Sequence, residues 1–339
     1  MKISREQFLK AAEKEGLPKA QTEVLWTALE QGKSHDPFSF SMWMFYFGAL
    51  VILAGMGWFL SFNWGLFGGG SLFIIATAYA ALFAFIGNIL WRKPELRIPA
   101  GLLITLAVCM VPLAIYGLED YFQVWPNPIS YAREISIEIG TIVAGLVALW
   151  FYPFPFLMAP IYFSAWLLAI DAIPSMIGSE DSWKLRERIS LVLGLMIIGI
   201  AFATDKGKES KSNEKDYAFW GYLFGTLAFW MGASSVFWRG GEEIRFIYLL
   251  INLVLMVVSI LLRRKVMMIF GALGTFIYLV HLADDIFRDS PLFPVAVSAI
   301  GLLIMYLGVM YQKNAVWIEQ KMTDSLPSWI KNLLKNRPE

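Results

Sequence analysis

The chain alternates long apolar runs with short polar ones. After about 38 mostly polar residues, apolar blocks cover about 39–62, 68–91, 98–118, 134–152, 154–173, 188–204, 217–237, 244–262, 265–284 and 291–311. A helix rising about 1.5 Å per residue needs about 20 residues to cross about 30 Å of hydrocarbon, and these blocks have that length. Lipid offers no partner to an unpaired backbone group, so such runs cross as helices. The pattern predicts an all-α, polytopic transmembrane helix bundle of about ten spans, over residues 37–312. The fourth and fifth spans meet at Tyr152-Pro153-Phe154-Pro155, where the prolines break the helix. Two full crossings and one re-entrant pair are both open there.

The flanking segments read differently. Residues 1–36 form a polar helical hairpin. Ser4 caps the first helix, Gln7 reaches back to it, and Ile3 staples against Phe8. Gly16 ends that helix, and Pro18 opens a second one with a stripe of Leu17, Val24, Leu25, Ala28 and Leu29. The hairpin is too short to enclose a core, so it is expected to rest on the membrane domain, the bilayer interface or a protein partner. Residues 313–339 set Trp317, Ile318, Met322, Leu326, Trp329, Ile330, Leu333 and Leu334 among lysines, an amphipathic helix for the membrane surface. The polar stretch before the first block is too long for a signal's n-region, so that block is expected as an uncleaved first helix.

Charge orients the spans. With the N-terminus inside, 21 of the 28 Lys and Arg fall in inside segments and 7 outside. This positive-inside bias predicts both termini in the cytoplasm. The outer segments carry 13 acids, an acidic rim able to concentrate cations.

Composition narrows the chemistry. The chain is 58% hydrophobic and 16% charged, against roughly half and a quarter for soluble domains. Net charge is +1 and no basic face appears, which excludes nucleic acid as a partner. Cys109 is the single cysteine and there are two histidines, so neither a disulfide nor a clustered metal site is expected. Phosphate loops, His-Glu-x-x-His and nucleophile elbows are absent, so no enzyme and no cofactor are expected.

Polar residues inside the blocks are the candidate sites. Tyr278, His281 and Asp285 share a helix face, with Asp284 beside them, and a histidine near two carboxylates can hold an ion or a proton. Glu138 has Glu134 one turn before it, with Arg133 placed to offset the pair. Asp171 precedes Pro174, which is expected to end its helix, and no span reads as broken in mid-membrane. Asn252 is expected to bond across to another helix. Gly48 and Gly55, Gly225 and Gly232, and Gly301 and Gly308 repeat at heptad spacing, and Gly221 precedes Gly225 by four. Small residues on one face let helices approach closely, so these glycines are expected to pack the first, seventh and tenth spans.

The stretch Phe47-Gly48-Ala49-Leu50-Val51-Ile52-Leu53-Ala54-Gly55, running on to Phe62-Asn63-Trp64 after a polar hairpin, resembles a bacterial membrane family known as domain of unknown function 2157. So do Gly271-Ala272-Leu273-Gly274, Tyr278-Leu279, Phe287-Arg288-Asp289-Ser290, Phe293-Pro294 and Leu326-Pro327. The resemblance implies a polytopic inner-membrane protein and assigns no catalytic or binding residue. Two functions follow from the sequence. The first is a non-catalytic scaffold, assembly factor or sensor, with the lipid bilayer as partner and a protein held by a terminal segment. The alternative is a transporter or channel for a small solute or cation.

Overall fold

The computed structural model describes residues 40–63, 68–124, 132–177, 182–206, 216–262 and 264–282, with isolated positions between 8 and 25 and between 295 and 313. Two compact units divide the chain, Met1–Ser61 and Phe62–Glu339. In the first, the backbone N–H groups of Gln21 and Thr22 donate to the Pro18 carbonyl, so a helical turn starts at the proline as the sequence predicts. The rest of the hairpin's capping pattern lies outside the described residues. Helix α1, Phe40–Asn63, starts in this unit.

The second unit holds α2 (Gly69–Trp91), α3 (Arg97–Cys109), α4 (Val111–Tyr121), α5 (Ala132–Phe151), α6 (Met158–Ile177), α7 (Ser182–Lys206), α8 (Tyr217–Arg239), α9 (Glu242–Leu262) and α10 (Lys265–His281). Among the described residues, six stretches are long and apolar enough to cross a membrane: Gly69–Trp91, Pro94–Tyr121, Ala132–Phe151, Pro155–Pro174, Trp183–Asp205 and Glu242–Leu262. Their outer faces are apolar, with Ile74, Phe85, Trp150 and Val254 all more than half exposed. Such a surface suits lipid, whereas water-facing monomers rarely expose contiguous apolar patches of this extent. The described residues are all-helical, and six apolar stretches of spanning length with lipid-suited faces are what a multi-pass membrane protein requires.

The third span is not one straight helix. It breaks at Met110 between α3 and α4, a position the sequence reading left unbroken. Pro112 has no N–H for the Val108 carbonyl, and the helix re-forms only after it, with Ala114 N–H donating to Met110 O at 3.1 Å. Pro153 and Pro155 act more strongly, giving an extended Phe154 and a short 3₁₀ turn, Pro155–Leu157. Helices α5 and α6 on either side have 20 residues each, which is enough for two full crossings. Pro174 does not end α6, which runs through it to Ile177.

Neighbours in sequence pack together: α2 on α3 and α4, α4 on α5, α5 on α6, α6 on α7, α7 on α8, and α9 on α10, with α8 also against α6 and α10. Glycine sets the tightest contact. A Cβ at Gly225 would lie 2.9 Å from Ile198 N and 3.0 Å from Gly194 O, and one at Gly232 would lie 2.9 Å from Glu187 O. A Cβ at Gly221 would meet that of Ala201 at 2.8 Å. Gly221, Gly225 and Gly232 therefore seat α8 on α7, with Gly194 as an unanticipated partner. Within 4 Å of a Cβ at Gly48, Gly55 or Gly301 no atom lies among the described residues, and Gly308 is outside them.

Candidate functional site

Antiparallel hairpins bring residues equidistant from a turn side by side. Glu138 lies 16 residues before Phe154, and Asp171 lies 17 after it. Asp171 on α6 is the nearest charged neighbour acting on Glu138 across the α5–α6 pair. On the far side, α7 offers Arg186, whose Nη2 lies 3.0 Å from Asp171 Oδ1. Glu138 is 5% exposed, and its Oε2 is buried with no partner among the described residues. Asp171 and Arg186 side chains are 15% and 19% exposed. Glu138 and Asp171 each sit six residues in from their helix ends, about 9 Å along the axis, and Arg186 about 6 Å. Three ionisable groups thus meet at nearly one depth, below the ends of apolar helices.

This differs from the pairing read off the sequence. Glu138 takes Asp171 as its neighbour, while Glu134 stays exposed in the first turn of α5. Arg133 does not offset them by pairing with Glu138. Its guanidinium lies over the Tyr116 ring, 5.0 Å from the centroid, and Arg186 is the nearby cation instead.

His281 is 4% exposed at the end of α10, and Tyr278 is 8% exposed one turn earlier. The carboxylate that His281 meets comes from another helix: its Nε2 lies 3.1 Å from Glu242 Oε2 and 3.3 Å from Arg245 Nη1, both on α9. Arg245 in turn donates to Glu242 Oε1 at 2.5 Å. Phe237 stands edge-on to the imidazole, and Tyr248 shares a hydrogen bond with Ser234 at 3.0 Å. Asp284 and Asp285 lie outside the described residues. Sequence reasoning missed Glu242 because it searched along one helix. Counting back from the turn at 263–264 would have put the neighbourhood of Arg245 opposite His281.

Asn252 is fully buried, but no cross-helix bond from its side chain occurs among the described residues. Its Nδ2 donates to Tyr248 O one turn earlier at 2.8 Å, and its Oδ1 has no partner among the described residues. The amide fills the space that Gly274 leaves on α10, where even a methyl group would collide with it. Its role in the fold is shape.

Several acids of the predicted outer rim are paired. Glu187 bonds Arg239 and Ser235, Glu119 bonds Ser136, and Glu242 holds Arg245. At the opposite end of α7, Arg264 reaches Asp205 at 2.6 Å and also bonds Asp216, while Tyr222 donates to Asp205 at 3.4 Å. Asp216 also caps α8 by accepting from Phe219 N–H at 3.0 Å. Burial works against the charged Arg264, but the hydrogen bonds and charges of Asp216 and Asp205 outweigh it and raise its pKa above the ordinary arginine range. No group of three or more His, Cys, Asp or Glu arranged to hold a metal occurs among the described residues.

Comparison with protein-family models, with curated proteins and with solved structures finds no match for this chain. The functional reading therefore rests on the clusters themselves.

Proposed function

We propose that the chain is a transporter or channel-like protein of a bacterial inner membrane, with ten crossings and both termini cytoplasmic, and that its Glu138–Asp171–Arg186 cluster binds one small positive charge. The carrying observation is the buried, unpartnered Oε2 of Glu138 beside Asp171. Two carboxylates and one guanidinium leave one negative charge uncompensated. A charge at membrane depth costs at least about 2.5–3.5 kcal/mol, and groups retained there are functional by default. One proton or one monovalent cation restores neutrality, whereas a divalent ion overshoots it.

One further feature supports movement over static scaffolding. The third span is interrupted at Met110 between α3 and α4, and interrupted helices line pathways in many carriers. The scaffold reading rests on residues 1–36 and 313–339, most of which lie outside the described residues. Both readings are non-enzymatic.

The test is flux in proteoliposomes containing entrapped pH- or sodium-sensitive dye, under an imposed potential. Wild type should dissipate a proton or sodium gradient faster than empty vesicles, and Glu138→Ala should not. An Asp205→Asn control should behave as wild type. Flux in wild type equal to empty vesicles for both ions, in correctly folded protein, would return the scaffold reading to first place.

A further inference from the structure

We infer that His281 is a proton-operated latch between α9 and α10, in which gaining a proton changes the bridging residue from Arg245 to Glu242. The inference stands apart from the Glu138 cluster and from the transport reading. Helices α9 and α10 run antiparallel from their turn at 263–264, so Glu242 and His281 meet at the end farthest from that covalent link. The imidazole is shut off from water, with its side chain 1% exposed, but Glu242 is 54% exposed at the first position of α9. A proton therefore reaches Nε2 from solvent by way of the carboxylate.

One ring nitrogen faces two groups with opposite demands. Nε2 lies 3.1 Å from Glu242 Oε2, which accepts, and 3.3 Å from Arg245 Nη1, which only donates. A bare Nε2 accepts from Arg245 and opposes Glu242. An Nε2 that carries hydrogen donates to Glu242 and opposes Arg245. Neither state satisfies both neighbours, so the site is poised between them. With Nε2 bare, Arg245 is the bridge, donating both to the imidazole and to Glu242 Oε1, the latter at 2.5 Å. In the imidazolium, Glu242 is the bridge, with one oxygen on each cation, and like charge moves the guanidinium off the ring. The other titratable and charged groups of the packed helices are Tyr278 on α10, Tyr248 on α9, whose hydroxyl meets Ser234, and Arg239 on α8, which is paired with Glu187. Helix α8 itself presents the Phe237 ring edge-on to the imidazole at 5.7 Å. The step is a plain proton exchange: Nε2 gains one proton from water past Glu242 and returns it the same way.

Magnetic resonance of the full chain in lipid, labelled with ¹⁵N-histidine, tests this. His35 is the other histidine, and His35→Gln leaves one imidazole to read. Histidine ordinarily changes charge between about pH 5 and 8, which sets the range to scan. The expected result is an Nε2 that is bare at the alkaline end and protonated at the acid end, with Nδ1 protonated throughout. With ¹³C at arginine Cζ and glutamate Cδ, the distance from Nε2 to the arginine carbon should lengthen on the acid side, while that to the glutamate carbon holds or shortens. Glu242→Gln should move the transition to lower pH and Arg245→Gln to higher pH, and Asp205→Asn should leave it in place. An Nε2 that keeps one protonation state across the range overturns the switch. Distances that stay constant through the transition overturn the exchange of bridge. Variants at Glu242 and Arg245 that move the transition in the same direction, or not at all, overturn the competition between them. A larger shift from Asp284→Asn combined with Asp285→Asn than from Glu242→Gln puts the acceptor in the histidine's own segment and overturns the latch between helices.

Discussion

Two charged clusters of the same stoichiometry stand at opposite ends of α7. Arg264 lies between Asp205 and Asp216, and Arg186 lies beside Asp171 and Glu138. Each counts two carboxylates to one guanidinium. In the first, the side chains are 21%, 21% and 39% exposed, and Asp216 has a second task as a helix cap. Water and its ions absorb the surplus negative charge there. In the second, Glu138 is 5% exposed and keeps an unpartnered oxygen, so solvent cannot do the same. Equal composition thus yields a structural clasp at one end and the proposed charge-binding site at the other, and the burial of Glu138 makes the difference.

The comparison breaks most visibly when each arginine is removed. Arg186→Ala leaves the buried Glu138 and the part-buried Asp171 without their cation and is expected to destabilise the protein by about 3 kcal/mol. Arg264→Ala removes an arginine about as exposed as Arg186, 21% against 19%, but its carboxylate partners are 21% and 39% exposed, so the loss should be only about 1 kcal/mol. Detergent unfolding of the two variants beside wild type measures both. Equal losses would erase the distinction drawn from burial.

Helix α7 carries one member of each cluster, so prying it from α8 should disturb both. Gly225→Leu drives a side chain into Ile198 N and Gly194 O and is expected to cost about 1–3 kcal/mol. Gly199→Leu, where no atom lies within 4 Å of the new Cβ, should leave the melting temperature nearly unchanged. Similar losses for the two would remove the close-approach role assigned to Gly225.

Salt sharpens the contrast further. The Debye length falls from about 10 Å at 0.1 M to about 3 Å at 1 M, so the loss from Arg264→Ala should shrink on adding salt while that from Arg186→Ala persists. The same unfolding series at two ionic strengths reads this out. Changing pH is the weaker lever at the exposed end. A raised Arg264 pKa means that its contribution is present throughout the pH range below the ordinary arginine value and is lost only above it.

The smallest effects come from neutralising one carboxylate. Asp205→Asn removes one partner of Arg264 and should cost about 0.5–1 kcal/mol. Glu138→Gln keeps the side chain's shape and supplies an N–H donor beside Asp171, so its stability should stay within about 0.5 kcal/mol of wild type. A loss above about 2 kcal/mol for Glu138→Gln would show that the glutamate's own charge holds the fold together.

Apolar block length determined the helical class and the helix positions among the described residues, because lipid imposes the same length and the same satisfied backbone on any span. Gly221, Gly225 and Gly232 announced a packing face by their spacing, since a helix repeats about every 3.6 residues. What the sequence could not decide was partnership. Glu138 was read with Glu134 and Arg133, and His281 with Asp284 and Asp285, because neighbours in sequence are the pairs one helix supplies. Tertiary structure gave Glu138 to Asp171 and Arg186, and gave His281 to Glu242 and Arg245. It also broke the third span at Met110 and let α6 run through Pro174, because a proline's lost hydrogen bond can end, kink or merely bend a helix according to what packs beside it. Burial decided the rest: the same residue types form a clasp where water reaches them and the proposed charge-binding site where it does not, and burial is a property of helices packed together.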